Sequence, residues 1–195
     1  LNISEISSGA NPPFDINVII EIAQGSTEPV KYEFDKKSGA LFVDRFLHTA
    51  MFYPANYGFV PHTLALDGDP IDVLVICHTA VVPGAVVRSR PIGVLMLSDE
   101  NGQDEKIIAV PVDALHPFYK DVSSYEDLPG VQREQIAHFF QHYKDLEKGK
   151  WVSDVEWEGP ERAQKLLAQS LERYKAPPPA RKRLSVVTES DESAA

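Results

Sequence analysis

Val30-Lys31-Tyr32-Glu33-Phe34-Asp35 alternates without a break, so a strand there carries Lys31, Glu33 and Asp35 on one face and Tyr32 and Phe34 on the other. Lys37-Ser38-Gly39 supplies a turn and Ala40 to Leu47 returns, which makes the segment a hairpin. The same vocabulary recurs on both sides of it. Val18 to Ile22 is largely β-branched and apolar and is followed by the loop Gly25-Ser26-Thr27. Val73 to Ile76 and Ala85 to Arg88 flank a Pro83-Gly84 turn. Gly93 to Leu97 and Glu105 to Val110 flank Asp99-Glu100-Asn101-Gly102-Gln103-Asp104, a hairpin loop with acids at both ends. Many short strands at such spacing predict a closed or nearly closed antiparallel barrel.

Two helices follow the strands. Pro129 to Glu147 sets Ile136, Phe139, Phe140, Tyr143 and Leu146 at helical spacing, with Gly149 where a C-terminal cap belongs. Pro160 to Lys175 opens on a proline and is expected to bury Ala163, Leu166, Leu167, Leu171 and Tyr174. The fold expected is therefore mainly β with flanking α, as one domain over residues 1–175. From 176 to 195 the composition shifts to Pro177-Pro178-Pro179, Arg181-Lys182-Arg183 and then acids and serines, which predicts a disordered tail.

Composition narrows the function classes. A chain of 195 residues can bury a core without disulfides, and its single Cys77, at the end of an apolar run, reads as a buried thiol. Lysine and arginine number 19 against 29 aspartates and glutamates, a formal charge of −10, which argues against unspecific binding to nucleic acid or an anionic membrane. No apolar stretch approaches the roughly 18 residues of a membrane span, and Leu1 to Pro13 lacks the regions of a signal peptide. The expected compartment is cytoplasmic, with an organelle also compatible.

The chemistry is concentrated in Asp67-Gly68-Asp69-Pro70-Ile71-Asp72. Three carboxylates this close repel one another unless cations lie between them, and their hard oxygens suit magnesium, manganese or calcium. The same residues also belong to ordinary tight turns. An EF-hand loop fails, because Asp72 stands where a Gly is needed and His78 where a bidentate Glu is needed. Asp99 and Asp104 form a second acidic pair, and Glu21 and Glu33 are acids in strands. Lys31, Arg45, Lys106 and Lys144, with Tyr53, Tyr57 and Tyr143, are candidates for phosphate oxygens, although each alone reads as surface or core edge. No nucleophile elbow, phosphate-binding glycine loop or zincin helix is present, and His138 with His142 lacks a third zinc ligand. Acids for several divalent ions beside bases for phosphate point to phosphoryl transfer to water.

Lys31-Tyr32-Glu33, Gly39-Ala40-Leu41-Phe42-Val43-Asp44-Arg45, Phe52-Tyr53-Pro54-Ala55-Asn56-Tyr57-Gly58 and the acidic motif strongly resemble the soluble family I inorganic pyrophosphatases. Asp99 to Lys106 and Ile136 to Glu147 extend the resemblance to roughly residues 14 to 172, while the first dozen residues and the tail match poorly. The resemblance implies an OB-like five-stranded antiparallel β-barrel with two C-terminal helices. It implies hydrolysis of pyrophosphate to two orthophosphates by direct attack of a metal-activated water, with several Mg²⁺ per site and Mn²⁺ or Zn²⁺ as substitutes.

Transferred position by position, Asp67, Asp72 and Asp104 match ligands of the tight activating metal, Asp99 with Asp104 a metal arriving with substrate, and Glu21 the outer shell of another. Asp69 matches the general base. Lys31, Arg45, Tyr57, Lys106, Tyr143 and Lys144 match the groups that hold the phosphates, with Glu33 and Tyr53 completing the polar network. The bacterial members that the chain resembles assemble as hexamers, with neither nucleic acid nor membrane as partner. The rival readings are a metal-dependent phosphohydrolase acting on nucleotides or other phosphate esters, and a non-catalytic barrel that binds nucleic acid.

Overall fold

The computed structural model describes residues 1–26 and 28–176, so the tail expected over 177–195 lies outside the described residues. The strands are β1 (Ile16–Ile22), β2 (Val30–Phe34), β3 (Leu41–Phe46), β4 (Asn56–Phe59), β5 (Asp72–Val75), β6 (Val86–Asp99), β7 (Gly102–Pro111) and β8 (Val152–Glu158). The helices are α1 (Gly130–His142) and α2 (Pro160–Lys175). The main sheet runs β1-β4-β5-β7-β6-β8, and β1 also pairs with β6, so β1, β4, β5, β7 and β6 close into a five-stranded barrel with β8 added outside β6. Such closure leaves those five without a free edge. The hairpin β2-β3 forms a separate two-stranded sheet, as its alternation and turn predict.

Several elements differ from the expectations. The barrel is antiparallel except for β5 and β7, which run parallel with Asp72 beside Lys106. Ala85 to Arg88 and Gly93 to Leu97 belong mostly to one long strand, β6, whose beginning pairs with β1, so it forms no hairpin with β5. A register shift between Pro91 and Gly93 bends β6 where it passes from β1 to β7. β4 and β8 have no counterpart among the strands expected. In β4, Gly58 is required by close approach: a Cβ there would lie 1.9 Å from the Ile19 carbonyl oxygen on β1.

The two faces of the sheet pack different helices. Leu74, Leu95, Leu97 and Ile108 meet Ile136, Phe139 and Phe140 of α1. Val73, Val94, Ile107 and Ala109 meet Ala163, Leu166 and Leu167 of α2. α2 has the bounds predicted, but Leu171 is half-buried and Tyr174 is 50% exposed, because the last turns run past the apolar face. α1 ends at His142, five residues before the expected Glu147, and Leu146 is exposed. The reason lies in Tyr143 and Lys144, which are adjacent and both buried against one cavity. Neighbours in a continuing helix diverge by about 100°, so the chain tightens into turns closed by Asp145 N–H to His142 O and Glu147 N–H to Lys144 O. Cys77 is half-buried rather than buried.

Candidate active site

The end of the barrel where β5 begins and β6 meets β7 opens into a cavity of about 200 Å³. Every candidate residue lines it: Glu21 from β1, Lys31 and Glu33 from β2, Arg45 from β3, Tyr57 from β4, Asp72 from β5, Asp99 from β6, and Asp104 and Lys106 from β7. Tyr53 comes from the approach to β4, Asp67 and Asp69 from the loop before β5, and Tyr143 and Lys144 from the turn after α1. Alternation along β7 puts Asp104 and Lys106 on one side, and the parallel register sets Asp72 next to Lys106. Gly68, at φ +99, turns the acidic loop back so that the Ala65 amide donates to Asp69 O at 2.7 Å. The Asp69 amide donates to Asp67 Oδ1 at 2.9 Å.

Ammoniums hold the carboxylates in pairs. Lys106 Nζ, almost wholly buried, lies between Asp72 and Asp104, 2.8 Å from Asp104 Oδ1 and in direct hydrogen bond with Asp72. Burial works against its charge, but Asp104 and Asp72 outweigh burial and hold the Lys106 pKa well above the ordinary lysine value. Lys144 Nζ reaches Asp99 Oδ2 at 2.6 Å and Glu100 Oε1 at 3.2 Å. Burial opposes the charge of Asp99, yet Lys144 and the Asn101 amide bring its pKa below the usual carboxylate range. Lys31 pairs with Glu33, and Lys36 Nζ lies 2.8 Å from Asp69 Oδ1. Arg45 binds Glu147 at 3.1 Å and Asp44 at 3.0 Å. Burial lifts the hydroxyl pKa values of Tyr53, Tyr57 and Tyr143, so each phenol keeps its proton and can donate it in a hydrogen bond.

Some contributors were not visible in the local sequence. Lys36 sits in the turn after β2 and meets Asp69 only through folding; Glu147 and Lys150 meet near Arg45 in the same way. The one readable hint is the high density of charge in Asp44-Arg45 and in Lys144 to Lys150. His138 and His142 lie outside the cavity lining, their rings 4.6 Å apart, with His142 Nδ1 2.8 Å from Asp145 Oδ2.

The inorganic pyrophosphatase family model matches residues 18–175. The chain belongs to the inorganic pyrophosphatase family. The inorganic pyrophosphatase of Caulobacter vibrioides is 63% identical over 174 residues, covering 89% of this chain and 98% of that protein. That of Aquifex pyrophilus is 54% identical over 171 residues, covering 88% and 96%. The crystal structure of the Thermus thermophilus inorganic pyrophosphatase matches with a TM-score of 0.84 at 38% identity, over 90% of this chain and all of that one. Members of this family are metal-dependent, and the donor set here fits hard divalent cations. Eight carboxylates, whose oxygens are donors of the kind magnesium and manganese prefer, line the cavity against six lysine and arginine side chains. Among the described residues no three ligating side chains surround a common point as they stand; the lysines occupy them instead.

Burial at the back of this cavity disfavours the charged form of Glu21. Burial raises its pKa from 4.5 to about 8, the Phe34 amide at 2.8 Å opposes the shift, and Asp72 and Glu33 add to it. The folded chain therefore holds a proton that the unfolded chain releases, and this contribution to stability is lost as pH rises through about 8. With a chelator present, Glu21→Gln, which keeps an oxygen for the Phe34 amide, is expected to match the unchanged chain near pH 4.5. By pH 9 it is expected to be more stable, by on the order of a few kcal/mol. Denaturant melts across that pH range check it; parallel curves for the two proteins would contradict it.

Proposed function

We infer that this chain hydrolyses inorganic pyrophosphate to two orthophosphates, with Mg²⁺ as the ion in use. The observation that carries this reading is the convergence of the acids of the Asp67–Asp72 motif with Asp99, Asp104, Lys31, Arg45 and Lys144 on one cavity. Asp67, Asp72, Asp104 and Asp99 are the carboxylates assigned to hold the ions, with Glu21 behind them. Bound there, Mg²⁺ supplies positive charge and Lewis acidity to a substrate that an acidic cavity would otherwise repel.

The chain's own groups do the rest. Lys31, Arg45 and Lys144 bind phosphate oxygens, exchanging their present carboxylate partners for the substrate. Lys106 stays protonated beside Asp72 and Asp104. The phenols of Tyr57 and Tyr143 donate hydrogen bonds, while Glu33 and Tyr53 orient the neighbouring lysine and tyrosine. Asp69, at the cavity mouth with its side chain 73% exposed, takes a proton from the attacking water on a carboxylate oxygen. A new P–O bond forms to that water oxygen and the bridging P–O bond breaks, so the leaving group departs as orthophosphate and no enzyme-bound phosphoryl group arises. Charge grows on the leaving phosphate and is met by Arg45 and Lys144.

The expected setting is the cytoplasm and the expected assembly a hexamer. Among the described residues no helix is long and apolar enough to cross a membrane. The net charge of −10 speaks against a nucleic-acid-binding barrel. Phosphate release from pyrophosphate, ATP and a phosphomonoester, measured side by side with Mg²⁺, tests the reading. Pyrophosphate should be the predominant substrate, and faster turnover of either ester would replace this reading with a general phosphohydrolase.

A further inference from the structure

The last turns of α2 hold the loop that carries Asp67 and Asp69. The Leu64 amide donates to Ser170 O at 3.0 Å, and the Leu64 carbonyl accepts from Arg173 Nε at 2.7 Å, so both backbone groups of Leu64 end on the helix. His62 Nδ1 lies 3.1 Å from the Tyr174 hydroxyl. Thr63 Oγ1 donates to Val60 O at 2.6 Å and accepts from the Ile71 amide at 3.0 Å, which ties the two ends of the loop together. Beyond Leu64 the loop closes through Ala65 N–H to Asp69 O at 2.7 Å. The point gripped by Arg173 is thus one residue from the bond that sets Asp69.

A second polar group lies on the α2 side of β7. Glu105 follows Asp104 and points away from the cavity, towards the α2 side, because successive strand residues alternate. It is 4% exposed, and its Oε1 and Arg173 Nη2 are both buried without a hydrogen-bond partner among the described residues. Neither Arg173 nor Glu105 lines the cavity.

We propose that Arg173 is a positioning residue, which by binding Leu64 O holds the acidic loop at a set separation from Asp104. The carboxylates of the loop and Asp104 repel one another, and a loop attached by few bonds would drift outwards under that repulsion. A guanidinium suits the task because its rigid plane fixes the direction in which Nε donates to the Leu64 carbonyl. The inference rests on the assignment of Asp67, Asp72 and Asp104 to metal.

The test is direct binding of Mn²⁺ to the full chain without substrate, followed by electron paramagnetic resonance, together with melting temperature. Arg173→Met, which keeps the stem and loses donor and charge, is expected to bind Mn²⁺ about tenfold more weakly, equivalent to about 1.4 kcal/mol. Arg173→Lys, which keeps a charge and should fold if the first variant does not, is expected to bind about threefold more weakly. Leu167→Ala, fully buried in the same helix, should lower the melting temperature but leave Mn²⁺ affinity within about twofold. Unchanged affinity in the folded Arg173 variants, or an equal loss in Leu167→Ala, overturns the proposal. If the unchanged chain binds no Mn²⁺, or Asp72→Asn binds as tightly as it does, the metal assignment itself falls.

Discussion

Asn in place of Asp69 is expected to slow pyrophosphate hydrolysis about a thousandfold, the middle of the range for loss of a general base. Stability should hardly change. Among the described residues the Asp69 carboxylate makes one ion pair, at 2.8 Å with Lys36, and both partners are largely exposed, where such a pair contributes at most about 1 kcal/mol. The backbone bonds that shape the loop, Ala65 N–H to Asp69 O and Asp69 N–H to Asp67 Oδ1, do not involve the side chain that changes. Asn is nearly isosteric and keeps one oxygen, so an effect on rate without an effect on folding isolates the proton transfer. Near-normal turnover in this variant would move the base to another group.

Asp72→Asn should behave differently. Asp72 is partly buried on β5, and it shares Lys106 with Asp104 across the parallel register. Loss of its charge removes an assigned ligand, and outer partners of metal sites alone are worth about 10–100-fold in affinity, so a weakening of at least about a hundredfold is expected. Turnover at ordinary Mg²⁺ concentrations should fall with it and recover in part at high Mg²⁺, a recovery that Asp69→Asn should not show. The melting temperature should also drop. Lys106 is 5% exposed and would be left with Asp104 alone, and breaking a buried pair costs more than breaking an exposed one. The contrast between the two aspartates, three residues apart in one motif, comes from burial and partners.

Much of this was legible in the chain. The β2-β3 hairpin follows from strict alternation around Lys37-Ser38-Gly39, and α2 from Pro160 and its apolar stripe. The acids and bases were readable as residue types that need cations and phosphate, and the structure gathers all of them around one cavity. What escaped depends on distant partners. β4 is Asn56-Tyr57-Gly58-Phe59, whose Asn and Gly read as loop until β1 and β5 enclose it. β8 carries Asp154, Glu156 and Glu158, acids that mask an edge strand whose Val155 and Trp157 pack towards α1 and its neighbours. The parallel pairing of β5 with β7 has no local signature at all. Leu146 keeps helical spacing and so extends the expected helix to Glu147, whereas the need to turn Tyr143 and Lys144 into the same cavity ends α1 at His142. Lys36 and Arg173 act on the acidic loop from far along the chain, which no spacing rule reveals.

In the proposed mechanism the acids of Asp67-Gly68-Asp69-Pro70-Ile71-Asp72 divide between holding ions and taking a proton. Titration of Mn²⁺ into Asp69→Asn and Asp72→Asn under identical conditions tests it most directly. Affinity within about threefold of the unchanged chain is expected for Asp69→Asn, and at least about a hundredfold weaker binding for Asp72→Asn. Equal affinities in the two variants would contradict it.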